Sequence, residues 1–309
     1  MPGTYAHITI ANELPHALRR AGGPQEAYAA TLANLKYCEL GAISPDYPYM
    51  VIGDAQAQRW ADLMHRTLTG ALLEAGIARV AGMGGEAKRK ATAWLLGYAS
   101  HVVADMTVHP VIELKVGPYA GHEKAHRICE MNQDVYVFKQ RMNLTLRWAE
   151  HFQHGIGTCG DGGLDPDIRS VWSEMLSRVE PEEYRSNPPD FDRWQRACRL
   201  VVDDIIEEGD RLIPLARHVA VGQGLLYPRD GEVDRTYLAD LETPAGRMDY
   251  DQVFERAVAN VGAECARIAS AIQGEDRERK ALLATAGPWD LDTGRIGAGG
   301  RVFWEGGIA

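Results

Sequence analysis

The sequence predicts an all-α fold, on three observations. Apolar residues recur at three- and four-residue intervals over long stretches, no stretch alternates apolar and polar residues as a half-buried strand would, and clusters of glycine and proline separate the stretches. The first helix is expected over roughly 24–38, followed by the loop GAISPDYPYM, and the second over 58–81, stopped by the glycines of AGMGG. The third, 87–109, carries Trp94, Leu95, Leu96, Val102, Val103, Met106 and Val108 almost all the way round, which marks a buried helix. Pro110 is expected to end it, and HPVIELKVGPYAG to lead into a fourth helix over 122–150. HGIGTCGDGG follows, then helices over 166–179, 189–218 (after SNPPD) and 247–275. The tail 286–309 is rich in glycine and carries Trp289, Phe303 and Trp304, so it reads as an irregular strap packed by its aromatics.

The expected architecture is a multi-helix bundle around a central buried helix, with an additional C-terminal helical part. The glycine cluster around 157–163 is the best boundary, because the chemically distinctive residues precede it. The division is a core over 1–156 and a C-terminal part over 157–309 with the Gly-rich tail, packed on the core as one fold.

A chain of 309 residues with 45% hydrophobic content buries a large core. The net charge of -10 disfavours polyanion partners such as nucleic acid, although bound cations reverse the sign locally. No stretch approaches eighteen uncharged apolar residues, so no transmembrane segment is expected, and MPGTYAHITIANEL lacks the build of a signal peptide. The expected location is the cytoplasm, unless a leader lies outside this sequence. Cys38, Cys129, Cys159, Cys198 and Cys265 have no CxxC spacing, which indicates neither a disulfide framework nor a zinc ribbon. Cys129 points roughly 100° away from Glu130 on a helix and reads as a packed thiol.

His101, Asp105 and His109 stand four residues apart within the buried helix, and His126 and Glu130 repeat the interval. Each spacing stacks side chains on one helix face. An ionised Asp105 in an interior must be paired or hold a metal, because desolvating an unpaired carboxylate costs several kcal/mol. His101 and His109 lie roughly 12 Å apart along the axis, too far to share one small ion. Asp105 sits between them with two oxygens, so the ladder reads as two or more zinc ions joined through Asp105. Upstream, His7 in GTYAHIT, Asp46 in GAISPDYPY and His65 in RWADLMHR are further candidates, each weak alone.

The order of these motifs over roughly residues 1–150, with GAISPDYPY, GYASHVVAD and HRICE as its most specific parts, resembles the zinc-dependent phospholipase C family. That family shares an all-α fold and a three-zinc site with the S1/P1-type nucleases. The resemblance implies that His101 and Asp105, with Asp46 and His65, hold one zinc; that His109, His126 and Glu130 hold a second; and that His7, with Asp105, holds a third. In secreted members the third metal also takes an N-terminal tryptophan, whereas Met1 precedes His7 here, so two to three Zn2+ ions are implied. The Asp105-to-His109 spacing is shorter than in those members, which keeps His122, one turn before His126, as a substitute for His109. His109 is favoured because Pro110 places it at the expected helix end.

The implied activity is hydrolysis of a phosphodiester or related ester with metal-activated water, Asp46 being the candidate to orient or deprotonate that water. Its position beside Pro45 also suits a plain turn residue. Expected substrates are a small phosphodiester, a lipid headgroup or a natural-product ester. The alternatives are an S1/P1-like nuclease or phosphatase, with only Arg59, Arg66, Lys124 and Arg127 basic near the motifs, and a metal-stapled structural or interaction protein without catalysis. No GxSxG, HExxH or Walker motif is present. His16, His151, His154 and His218 have no partners at ligand spacing, and the oligomeric state is open.

Overall fold

Helices account for most of the residues described in this computed structural model, which are 3–66, 68–142, 155–160, 162–200, 222–223, 226–274, 287–297 and 299–305. They follow in the order α1 (Thr4–Arg20), α2 (Gln25–Ala33), α3 (Leu35–Ile43), a 3-10 segment (Ser44–Met50), α4 (Ala55–Arg66), α5 (Thr69–Ala81), α6 (Gly85–Val116), α7 (Glu123–Met142), α8 (Pro166–Val179), α9 (Pro181–Ser186), α10 (Phe191–Leu200) and α11 (Tyr250–Gln273). Three short 3-10 segments (Ile156–Thr158, Asp230–Glu232 and Arg235–Tyr237) and two small antiparallel hairpins complete the described elements, the hairpins being β1 (Leu241–Thr243) with β2 (Gly246–Met248), and β3 (Trp289–Asp290) with β4 (Arg295–Ile296). The all-α expectation is met. Among the described residues no helix is long and apolar enough to cross a membrane.

The central helix is α6, in which every residue from Ala91 to Ile112 is buried. It packs against α1, α2, α3, α5, α7, α8 and α11. The closest crossing is with α3, where Gly41 and Gly97 let the backbones meet: a Cβ on Gly41 would stand 2.0 Å from Trp94 O, and one on Gly97 2.0 Å from Cys38 O. This approach brings the end of α3 to the face of α6 that carries His101.

Several helix boundaries differ from expectation. α6 was expected to stop at Pro110 and instead runs on to Val116. The ring removes the hydrogen bond to Met106 O, but burial on every side outweighs that loss. α1 was not expected at all, because Pro15 and the β-branched run around Ile8–Ile10 weaken the local pattern. Tertiary packing compensates, since Ala11 O, deprived of its partner by Pro15, accepts from Cys38 Sγ at 3.7 Å. The expected helix over 24–38 is broken at Asn34 into α2 and α3, and that over 58–81 is broken near Leu68. Of the expected 122–150 and 189–218, only α7 and α10 fall within the described residues.

From the C-terminal part, α11 packs on α1, α5 and α6, and β3 lies against α4 and α5. Trp289, Phe303 and Trp304 are buried, as the strap reading of the tail requires. All five cysteines are buried.

Candidate metal centre

Five elements bring the candidate ligands together. α1 carries His7, the 3-10 segment Asp46, α4 His65, α6 the ladder His101, Asp105 and His109, and α7 His126 and Glu130. None of these residues is more than 9% exposed, so their charges and lone pairs face one another rather than water.

The hub is His101. Its Nδ1 donates to Ala42 O at 2.9 Å, which is possible because α3 and α6 meet so closely. His65 Nδ1 likewise donates to Ala61 O at 2.7 Å. A carbonyl can only accept, so in the neutral form of each ring Nε2 carries the lone pair. These two Nε2 atoms stand 3.2 Å apart. Asp46 Oδ1 lies 3.2 Å from His65 Nε2 and 4.0 Å from His101 Nε2. Two ligands of a tetrahedral zinc stand roughly 3.3 Å apart, so the triad Asp46, His65 and His101 has the spacing a single ion requires.

Asp105 faces both sides. Its Oδ2 is 3.3 Å from His101 Nε2 and its Oδ1 is 3.2 Å from His7 Nε2. The His7 and His101 rings are stacked with centroids 4.0 Å apart. His7, His101 and Asp105 therefore form a second group whose donor atoms meet, and it shares His101 with the first. A single Nε2 lone pair serves only one ion, so the two groups cannot both use His101.

The rest of the ladder is looser. His109 Nε2 lies 3.9 Å from Glu130 Oε1, with Nδ1 donating to Leu291 O at 2.6 Å. His126 donates its Nε2–H to Gly117 O at 2.7 Å, leaving Nδ1 free to ligate. Among the described residues, no group of three donors within 4.8 Å of one another includes His109, His126 or Glu130. His122 precedes α7, is exposed, and donates from Nδ1 to Pro118 O at 2.9 Å.

Both nitrogens of His7, Asp46 Oδ1, both oxygens of Asp105, His109 Nε2 and His126 Nδ1 are buried and make no directed hydrogen bond. Such atoms cost free energy unless a cation lies among them. Burial by itself would raise both aspartates. The facing histidines outweigh it, His101 foremost, so Asp46 titrates below and Asp105 well below the usual carboxylate range. Burial raises Glu130 and lowers His109 and His126, which keeps these histidines neutral and ready to ligate at neutral pH. Nitrogen and carboxylate donors around buried negative charge fit zinc. Four of the five candidate histidines also direct the other ring nitrogen to a backbone carbonyl, the arrangement that orients metal-ligating imidazoles.

Two features were not anticipated from sequence. Asp134 continues the ladder of α7 one turn past Glu130, and its carboxylate accepts from the backbone N–H of Ala6 and Tyr5 at 2.9 and 3.2 Å, at the start of α1. The four-residue interval could have flagged it. Leu291 O could not have been flagged, since a carbonyl has no side-chain signature. Among the aromatic residues close in sequence to the candidate ligands, Tyr47, Trp60 and Tyr98 are core residues, whereas Tyr49 and Tyr119 are partly exposed and stand 5.4 and 5.3 Å from the His65 and His126 rings. His16 is exposed; His151, His154 and His218 lie outside the described residues.

No significant match to the chain is found among curated proteins or among solved structures. The sequence model of the zinc dependent phospholipase C family matches residues 6–182, a span that holds every candidate ligand and more than half of the chain. The chain belongs to the zinc dependent phospholipase C family.

Proposed function

We propose that this protein is a phosphoric-ester hydrolase holding two to three zinc ions on His7, Asp46, His65, His101, Asp105, His109, His126 and Glu130. The observation that carries the reading is the pair of Nε2 lone pairs on His65 and His101, aimed at each other at 3.2 Å beside the Asp46 carboxylate. Two unprotonated acceptors at that distance repel unless a proton or a metal ion stands between them. When bound, zinc supplies Lewis acidity toward a phosphoryl oxygen and lowers the pKa of water toward neutrality.

The remaining work falls to the chain itself. Asp46, ionised and on a 3-10 segment rather than a helix, is placed to orient a water molecule and take its proton. Backbone carbonyls of Ala61, Ala42 and Leu291 hold the rings of His65, His101 and His109 in the ligating tautomer. Tyr49 and Tyr119 wall the approach over His65 and His126, where a leaving group would lie. Residues 1–156 act as the metal-binding core, with 157–309 packed on it as one fold.

The substrate class is a small phosphodiester, a lipid headgroup or a natural-product ester. Among the four basic residues near the motifs, Arg59 and Arg66 are paired with Glu183 and Asp292. The test is a panel of phosphocholine esters, nucleotides and single-stranded nucleic acid, assayed with and without chelator. Chelator-sensitive turnover of a small ester is expected. Preference for nucleic acid would establish the nuclease alternative, and a zinc-loaded protein inactive on every phosphoric ester would point to a structural metal.

A further inference from the structure

The family match ends at residue 182, but the framework of the site extends beyond it. Residues 287–297 form the β3–β4 hairpin, and Leu291 in its turn makes two contacts with the ligand helices. Leu291 N donates to His65 O at 2.9 Å, in the last turn of α4, where carbonyls lack helical partners. Leu291 O accepts Nδ1–H of His109 at 2.6 Å. The same peptide segment therefore touches ligand-bearing residues of α4 and α6.

The hairpin is fastened on either side of Leu291. Thr69 Oγ1, at the start of α5, donates to Trp289 O at 2.9 Å and accepts from Trp289 N at 3.1 Å. Asp292 pairs with Arg66 at 3.0 Å. Gly294, at φ +67°, sits in the notch that Pro110 opens in α6: a Cβ there would stand 2.5 Å from Pro110 Cγ and 2.7 Å from Met106 O. Proline and glycine thus fit together one residue away from His109. Farther along, Arg301 pairs with Glu113 at 2.8 Å, and Trp304 Nε1 donates to Thr107 O at 2.9 Å.

We infer that the C-terminal strap is a positioning element of the metal site, with Leu291 as the residue that sets the His109 ring and ties α4 to α6. By accepting the Nδ1–H of His109, Leu291 O aims Nε2 toward Glu130. By donating to His65 O, the same residue limits how far α4 can move from α6. The inference rests on the proposed role of His109 as a ligand. It assigns part of the site to a segment that carries no candidate ligand.

Because the contacts of Leu291 are made by its backbone, the test uses its anchors. Thr69→Val removes the hydroxyl that pins Trp289, and Thr69→Ser restores it. Gly294→Ala drives a methyl into Pro110, while Gly297→Ala places the same substitution at φ +52° with nothing within 4 Å, and so reproduces the backbone strain alone. Zinc affinity and the visible spectrum of the cobalt-substituted protein are measured for all four beside the wild type.

Thr69→Val and Gly294→Ala should weaken retention of one ion by roughly ten- to hundredfold, as second-layer changes do, and shift the cobalt bands. Thr69→Ser and Gly297→Ala should match the wild type. Where Gly294→Ala does not fold, the Thr69 pair decides. Wild-type affinity and spectrum in Thr69→Val and Gly294→Ala would overturn the inference while leaving the metal reading intact. A wild type that binds no zinc would overturn both.

Discussion

The Asp134 carboxylate accepts the backbone N–H of Ala6 at 2.9 Å, joining the first turn of α1 to the same face of α7 that carries Glu130. The next residue along α1 is His7. Asp134 also accepts from Tyr5 N and from the Tyr227 hydroxyl. Asp134→Ala removes the acceptor that Tyr5 N, Ala6 N and the Tyr227 hydroxyl share, so the stability loss should be about 1–3 kcal/mol. Zinc affinity should fall as His7 is released. Calorimetry and metal titration check the two effects; a variant unchanged in both would detach Asp134 from the site.

Asp105→Asn should be the most damaging single change among the candidate ligands. The amide keeps the shape but removes a buried negative charge that faces His7 and His101 at once. Metal content, melting temperature and activity should fall together. Full zinc content with native stability would show that Asp105 does not bridge.

Asp46→Asn should separate catalysis from folding. His65, His101 and Asp105 remain to hold metal, while the group that takes the proton of water is lost. Turnover at matched metal occupancy should drop roughly a hundredfold or more, with near-native melting. Unchanged turnover would remove Asp46 from the chemistry.

Acidification should destabilise the metal-free protein through His109. Burial holds the folded pKa of His109 well below 6.5, so the unfolded chain takes up a proton first as pH falls. The contribution is present in full above pH about 6.5 and is lost as pH falls through the folded value. His109→Asn, which keeps a donor near the Nδ1 position, should show a smaller fall in melting temperature between pH 8 and 5 than the wild type. Equal falls would place the acid sensitivity elsewhere.

The two ladders were legible because they obey the helix period, and α6 was legible as a buried helix because its apolar residues run all round. Other parts of the site leave weaker marks. α1 escaped because Pro15 and the β-branched residues near His7 argue locally against a helix, and only tertiary contacts such as Cys38 Sγ to Ala11 O answer that argument. Pro110 misled for the same reason: a proline predicts a stop, yet α6, packed among the surrounding helices, continues through it to Val116. The role of Leu291 is made by the backbone at a separation of 182 residues from His109, a relation that spacing cannot carry. Asp134 was within reach, since it repeats the interval of His126 and Glu130.

The most direct test of the metal-centre account is elemental analysis of protein purified from zinc-supplemented expression without exposure to chelator, repeated for His101→Ala and His126→Ala. The wild type should carry at least about two zinc equivalents per chain, and each variant should lose one or more. Less than about half an equivalent in the wild type would contradict the account.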